Sequence, residues 1–394
     1  MHFANRVSLC FLVTSFPFLS TARSSNRLLL PKPNGAFEVG MGTMEMIDKS
    51  RLQPFAPDVQ PRRFMISSFY PVKSHSPTTP VDYLPPTIAA FENTWQELTT
   101  GLDSPNGTFE KLAIHLASPS AETQTSPIVL FSPAEGTNRY LYSAIAQQIA
   151  STGYIVITID APRDVDIVQY PDSTTDLINT TVATTASSSN INLAVTTRAQ
   201  DATFVLDQLS HPSITSKLLP NLTHSRLDTG KVAMFGHSLG GAATAAAMLT
   251  DPRIAGGLAM DGALFGPVIQ QGLDRPFMFM AHTNHTRTND NSTNDPYNSW
   301  YEIWSKLRGW KLDIQLANSQ HYTFSDFPIV LETLGIVPNA TVAGNLLVTD
   351  LDGARALQIV TTYVGAFLDM VLKCEIAPLL EGPVDAFPEV TFER

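Results

Sequence analysis

Lys231–Leu249, KVAMFGHSLGGAATAAAML, is the stretch on which the reading of this chain turns. Val232–Phe235 is a short apolar run with the composition of a buried strand. From about Leu239 to Leu249 the residues are small and suit a helix packed closely on a sheet. Between the two stands Gly236-His237-Ser238-Leu239-Gly240, a G-x-S-x-G pattern. Alone the pattern is weak, but strand, pattern and helix in this order predict a nucleophile elbow. Such a turn strains the serine backbone and lifts the Ser238 hydroxyl above the sheet, while Gly236 and Gly240 leave room for it. The helix start beneath it favours negative charge, so the Leu239 N–H is one expected oxyanion donor.

The flanking sequence supplies the sheet. Ile128–Ser132 (IVLFS) and Tyr154–Asp160 (YIVITID) are continuous apolar runs, as in parallel strands covered on both faces. Tyr140–Thr152 between them has helical spacing and stops at Gly153, which predicts a right-handed crossover. After the elbow, Ile254–Met260, Arg275–Ala281 and Lys311–Ala317 read as further strands. Ala36–Ile47 and Arg63–Tyr70 add N-terminal strands, Phe109–Leu116 another, and Pro71–Pro86 reads as a loop. Ala89–Leu102, Arg198–Leu209 and Tyr301–Leu307 read as helices. Gly353–Cys374 is a longer one whose stripe Leu357, Val360, Val364, Phe367 and Val371 is core packing, not a membrane device. The expected fold is an α/β-hydrolase: a mostly parallel central sheet, helices on both faces, extra N-terminal strands, one domain over residues 23–394. Residues 164–197, rich in Ser and Thr, read as a surface excursion.

Composition narrows the function classes. Charged residues make up 15% of the 394 residues and the net charge is −11, with no Lys/Arg run, so no face for nucleic acid is expected. Met1–Ala22 has a weakly basic start at His2 and Arg6, an apolar core Val7–Leu19 and a small-residue site Ser20-Thr21-Ala22. It reads as a secretory signal, too short for a transmembrane anchor. Six N-x-S/T sequons, at Asn106, Asn179, Asn221, Asn284, Asn291 and Asn339, agree with a secreted glycoprotein. Cys10 leaves with the signal, and Cys374 alone makes no intramolecular disulfide. No P-loop, GxGxxG, metal motif or cofactor motif is evident, so no cofactor is expected.

A nucleophilic serine needs a base within hydrogen-bond reach and a carboxylate to hold that base. In this fold the chain order is serine, acid, histidine. Asp261 ends the strand after the elbow and is followed by Gly262. The alternatives Asp290 and Asp295 lie in a polar loop, after a strand end Ala281-His282-Thr283-Asn284 that has no carboxylate. His321 follows the last strand beside Tyr322, Phe324 and Phe327. Among its rivals, His237 sits inside the elbow, where packing suits it better than base work. His282 and His285 come too early in the strand order, and His115, His211 and His224 precede the serine. The second oxyanion donor is expected in Pro133-Ala134-Glu135-Gly136, most simply the Glu135 N–H. Each such donor is worth about 10²–10³ in rate.

With these residues placed, the chain resembles the platelet-activating-factor acetylhydrolase family, in particular its secreted fungal relatives. The marks are QPRRFMISSFYP (60–71), VLFSPAEGTNRYLYSAIAQQIASTGYIVITIDAP (129–162), FVLDQL (204–209), GHSLGG (236–241), the Asp261 strand end, HYTFSDFP (321–328) and the tail 378–390. The resemblance implies Ser238 as nucleophile, Asp261 as acid, His321 as base and the Glu135 and Leu239 amides as oxyanion hole. It also implies a cofactor-free hydrolase of short acyl groups on phospholipid or other lipid esters. The alternatives are a tailoring hydrolase or acyltransferase on a secondary metabolite, or a binding protein without activity. The group also looks similar to cutinase-like polyester hydrolases, which place the acid one strand later, where this chain offers none.

The chain departs from the family at two points. Relatives carry Pro-Gly-aromatic-Gly or His-Gly-x-Gly where this chain has Pro133-Ala134-Glu135-Gly136, and Asp-His-Pro-Tyr where it has Asp160-Ala161-Pro162-Arg163. A positive φ at Ala134 would cost about 1 kcal/mol or more. Glu135 and Arg163 are expected to pair across the rim and narrow the acyl site.

Overall fold

The computed structural model describes residues 27–118, 126–179, 188–220, 227–283, 285–287, 299–349 and 351–393. The signal stretch Met1–Ala22, the sequons at Asn221, Asn284 and Asn291, and the rival acids Asp290 and Asp295 lie outside them. In chain order the strands are β1 (Leu28–Leu29), β2 (Glu38–Leu52), β3 (Pro61–Val72), β4 (Thr78–Asp82), β5 (Leu112–Ala117), β6 (Ile128–Ser132) and β7 (Ile155–Ile159). They continue with β8 (Ile167–Gln169), β9 (Thr175–Leu177), β10 (Val232–His237), β11 (Ile254–Met260), β12 (Phe277–His282), β13 (Lys311–Leu316) and β14 (Val390–Phe392).

Among the described residues, nine strands form the central sheet in the order β14-β13-β12-β11-β10-β6-β7-β3-β2. From β13 to β7 every pair is parallel. The edge strand β14 and the N-terminal β3 and β2 run antiparallel. This is the α/β-hydrolase arrangement, with the extra N-terminal strands that the sequence predicts.

Alternation along each strand divides the core. Val129, Phe131, Val156 and Phe235 point to one face, against the helices Ser143–Ala150 and Gly353–Leu368. Ile128, Leu130, Ile155 and Met234 point to the other, against Ser188–Leu209 and Leu239–Thr250. Burial on both faces is why these strands read as unbroken apolar runs. The segment Gly353–Lys373 is long and apolar enough to cross a membrane by length and composition. Its Ile359, Val360, Tyr363, Val364, Phe367 and Leu368 are buried in the first cluster. Each such burial stabilises the fold by about 1.5–3 kcal/mol.

Two local readings change. The segment read as a loop at Pro71–Pro86 contains β4, which pairs antiparallel with β5 in a small sheet of order β1-β5-β4. Pro80 is tolerated there because β4 is an edge strand, where a missing N–H breaks no ladder. The excursion at 164–197 is structured at both ends. β8 and β9 form an antiparallel hairpin, and Val165, Ile167, Val168 and Tyr170 in and beside it are buried. The helix read as starting at Arg198 begins at Ser188, because a polar first turn masks its period. Of the described sequons, Asn106 and Asn339 are exposed, while Asn179 is half-buried and donates from Nδ2 to the Phe55 carbonyl at 3.1 Å.

β6 is flanked by β7 on one side and β10 on the other. Strand order therefore reverses at β6, and the crevice at its carboxyl end is where this topology places a site.

Candidate functional site

The elbow closes that crevice. β10 ends at His237, and Ser238 takes φ 55° and ψ −121°, a conformation costing of order 1–3 kcal/mol. The turn is over-determined from outside. The Ser238 N–H donates to the Met260 carbonyl at 2.7 Å, and the Gly241 N–H to the Ser238 carbonyl at 2.9 Å. A Cβ on Gly240 would strike the Ser132 and Pro133 carbonyls, and one on Gly262 would strike the Ser238 backbone. The elbow thus sits pressed between the β6 loop and the β11 end. Among the described residues, the Leu239 N–H at the helix start takes no hydrogen-bond acceptor.

Asp261 is fully buried and has a left-handed φ of 49°. Its N–H donates to the Met280 carbonyl at 2.8 Å, which fixes it to the neighbouring strand. His321 opens a short 3-10 turn after β13, held by a Gln320–Thr323 capping box. Its Nδ1 lies 2.6 Å from Asp261 Oδ2. The His321 ring is half-buried, 4.6 Å between centroids from His237, the residue immediately before Ser238. The three residues singled out in sequence, Ser238, Asp261 and His321, are therefore gathered at one end of the sheet.

The other oxygen of Asp261 has partners that sequence reading missed. Oδ1 accepts from His282 Nδ1 at 2.7 Å, from the His282 N–H at 3.2 Å and from His285 Nδ1 at 3.0 Å. Burial pushes the Asp261 carboxyl up, but the hydrogen bonds from His282, His285 and His321 outweigh it and hold the group well below the usual carboxylate range. An acid ionised in this way fixes Nδ1–H on His321 and leaves Nε2 as the basic nitrogen. His285 is stacked on Trp300 at 4.0 Å, and Trp300 Nε1 donates to the Gly262 carbonyl at 2.8 Å. The available signal was the sheet register: Met260 lies beside Met280, so Asp261 must neighbour the Ala281–His282 strand end.

His237 is buried, with Nδ1 2.8 Å from the Tyr142 hydroxyl. Burial, and then the nearby charge of His321, hold it well below the ordinary histidine range, so it stays neutral and packs. Tyr142 Oη also accepts from the Ala134 N–H at 3.2 Å and contacts Thr137 Oγ1 at 2.9 Å. One hydroxyl therefore ties the elbow to the β6 loop.

That loop is gripped from beneath. Arg198 Nη1 donates to the Pro133 carbonyl at 2.5 Å and to Ser132 Oγ at 3.0 Å. Arg198 also forms a buried two-pronged pair with Asp164, at 2.7 and 2.8 Å. The Asp164 carbonyl in turn accepts the Gly136 N–H at 3.0 Å. Both ends of Pro133–Gly136 are fixed, while the Glu135 N–H between them takes no acceptor among the described residues. Among the described residues, it and the Leu239 N–H are both without an acceptor at the crevice.

The departures at the rim resolve differently from expectation. Ala134 carries no positive φ and so no penalty; the left-handed residue of the loop is Gly136, at 72°. Arg163 does not pair with Glu135. It pairs with Asp176 of the β8–β9 hairpin at 2.5 Å, a partner that became available only because the excursion folds. Glu135 keeps an exposed flank, yet desolvation in the loop and then Asp164 push its carboxyl up to about 7, against Arg198.

The HYTFSDFP stretch reaches across the site as well. Asp326 is buried and accepts from the Ala144 N–H at 2.7 Å, the Ile145 N–H at 3.2 Å and the Tyr83 hydroxyl at 2.9 Å. It fixes the His321 loop onto the first turn of the Ser143–Ala150 helix, which follows the β6 loop.

Comparison with known proteins identifies the family and the fold. Residues 22–376 match the family described as platelet-activating factor acetylhydrolase, isoform II. A probable 1-alkyl-2-acetylglycerophosphocholine esterase from Arthroderma benhamiae is 32% identical over 388 residues, covering 92% of this chain and 93% of that protein. Among solved structures, a ferulic acid esterase from Streptomyces cinnamoneus matches with a TM-score of 0.76 at 25% identity, covering 94% of this chain and 100% of its own.

Proposed function

The chain belongs to the platelet-activating factor acetylhydrolase isoform II family and is an ester hydrolase; from that premise we propose that it cleaves short-acyl lipid or phospholipid esters through an acyl-enzyme on Ser238. Ser238 Oγ attacks the ester carbonyl as His321 Nε2 takes its proton. Asp261 holds Nδ1–H and stabilises the imidazolium that forms. The Glu135 and Leu239 amides stabilise the oxyanion. His321 returns the proton to the leaving alcohol. Water, activated by the same histidine, then releases the acid and regenerates Ser238.

One contact carries this reading: His321 Nδ1 on the buried, ionised Asp261 at 2.6 Å, beside a serine held at φ 55°. The unused Glu135 and Leu239 amides support it. We also propose that the protein is secreted after loss of Met1–Ala22, a reading supported by the exposed sequons Asn106 and Asn339. N-terminal sequencing of protein from culture medium tests that step.

The test of the activity is a p-nitrophenyl ester ladder from acetate to palmitate, with an acetylated phosphocholine lipid and a feruloyl ester alongside. The feruloyl ester is included because the solved relative is named for it. Turnover with a short-chain optimum, abolished by Ser238→Ala, is expected. A long-chain or feruloyl optimum would overturn the substrate class.

A further inference from the structure

We propose that Asp261, His282 and His285 also form a binding site for a divalent transition-metal ion of the zinc or copper type, and that the bound ion silences the esterase. Asp261 Oδ1 lies 2.7 Å from His282 Nδ1 and 3.0 Å from His285 Nδ1, and the three atoms all fall within 4.8 Å of one another. Holding the base requires only Oδ2, which His321 occupies. Two imidazoles converging on the opposite oxygen exceed what that task needs.

Two nitrogens and one carboxylate oxygen are a donor set for zinc, copper or nickel; magnesium and calcium prefer oxygen. Ligands about 2.0–2.2 Å from zinc stand about 3.4 Å apart in a tetrahedron, so the nitrogen–oxygen edges, now 2.7 and 3.0 Å, each lengthen by less than about 1 Å as the ion replaces the two hydrogen bonds. His285 is buried and fixed by its stack on Trp300, which gives the site one rigid ligand. His282, at the end of β12, is one-fifth exposed and gives it an adjustable one with access to solvent. Coordination through Nδ1 leaves the ring proton of each imidazole on Nε2. Three protein ligands leave a position for water.

The consequence follows from charge. A dication on Oδ1 opposes the imidazolium that His321 must form on Oδ2 of the same carboxylate. This inhibitory half rests on the mechanism proposed above; the binding half does not.

The experiment is a calorimetric titration of zinc chloride into chelator-treated Ser238→Ala protein, with magnesium chloride as control. One equivalent of zinc should bind and magnesium should not. Adding His285→Gln or His282→Gln to Ser238→Ala should each weaken binding at least tenfold, with thermal melts confirming the fold. No zinc binding, or unchanged affinity in both double variants, overturns the site. In the second arm, saturating zinc should lower wild-type ester turnover at least tenfold, with recovery on adding EDTA. Binding without inhibition overturns the silencing claim. Absence of any Ser238-dependent turnover is a failure of the esterase reading, and the binding result then stands by itself.

Discussion

Asp261→Asn probes the geometry most sharply, because the two carboxylate oxygens carry unequal loads. Oδ1 accepts from His282 Nδ1, the His282 N–H and His285 Nδ1; among the described residues, Oδ2 accepts from His321 Nδ1. An amide offers one acceptor and one donor end. Its oxygen must settle at the Oδ1 position, since the reverse would aim an NH2 group at three donors. The NH2 then faces His321 Nδ1, which has to accept. The ring proton moves to Nε2, and the lone pair needed by Ser238 is lost. The corresponding acid-to-amide change in an unrelated serine protease lowers kcat about 10⁴-fold through the same tautomer effect. That is about 5.4 kcal/mol at 1.36 kcal/mol per decade. Three of four hydrogen bonds survive, so the fold should lose no more than about 3 kcal/mol, the upper worth of one charged hydrogen bond. Steady-state kinetics on p-nitrophenyl acetate, with a thermal melt of the same sample, reads both. A folded variant within tenfold of wild-type kcat would mean that Asp261 does not set the His321 tautomer.

Further outcomes follow from other parts of the site. Arg198→Met removes the grip on Pro133 and leaves Asp164 buried without its partner; urea denaturation should show a loss of about 3–5 kcal/mol, and kcat should fall with little change in KM. Gly262→Ala drives a Cβ into the Ser238 backbone, so kcat should fall at least tenfold in a protein that still folds by circular dichroism. Glu135, with its carboxyl pushed up to about 7, is neutral below that pH and charged above it. Its charge opposes the oxyanion, so kcat/KM should decline as pH rises through 7, and Glu135→Gln should flatten that limb. Burial pushes Asp326 up to about 7, against hydrogen bonds from Ala144, Tyr83 and Ile145. The folded state then holds a proton that the unfolded chain releases near 4, so this group's contribution to stability falls as pH rises from 4 to 7, by about 4 kcal/mol. Asp326→Asn should remove that slope from urea midpoints measured across the range.

The parts of the fold legible in sequence are those fixed by local pattern. β6, β7, β10 and β11 announce themselves because strands covered on both faces have few polar positions to interrupt them. Ser238, Asp261 and His321 were legible because each follows a strand end in a fixed chain order. What stayed hidden depends on lateral contact. His282 comes too early in the strand order to read as the base, yet the register of β11 against β12 makes it a partner of Asp261. Arg198 sat inside a recognised helix, but its grip on the β6 loop joins residues 65 apart. The Arg163 pairing failed because β8 and β9 are three residues each, too short for periodicity to show the hairpin that delivers Asp176. Pro80 disguised β4, since proline marks an edge strand and a loop alike.

The proposed mechanism stands or falls on Ser238 as the activated nucleophile. A fluorophosphonate probe reads this out, because it phosphonylates, with loss of fluoride, a serine whose proton has somewhere to go. Intact mass should show one adduct per chain, and peptide mapping should place it on Ser238. Ser238→Ala should show none, and Asp261→Asn should react orders of magnitude more slowly. Labelling at another residue, or a folded wild-type protein that takes no label, would contradict the account.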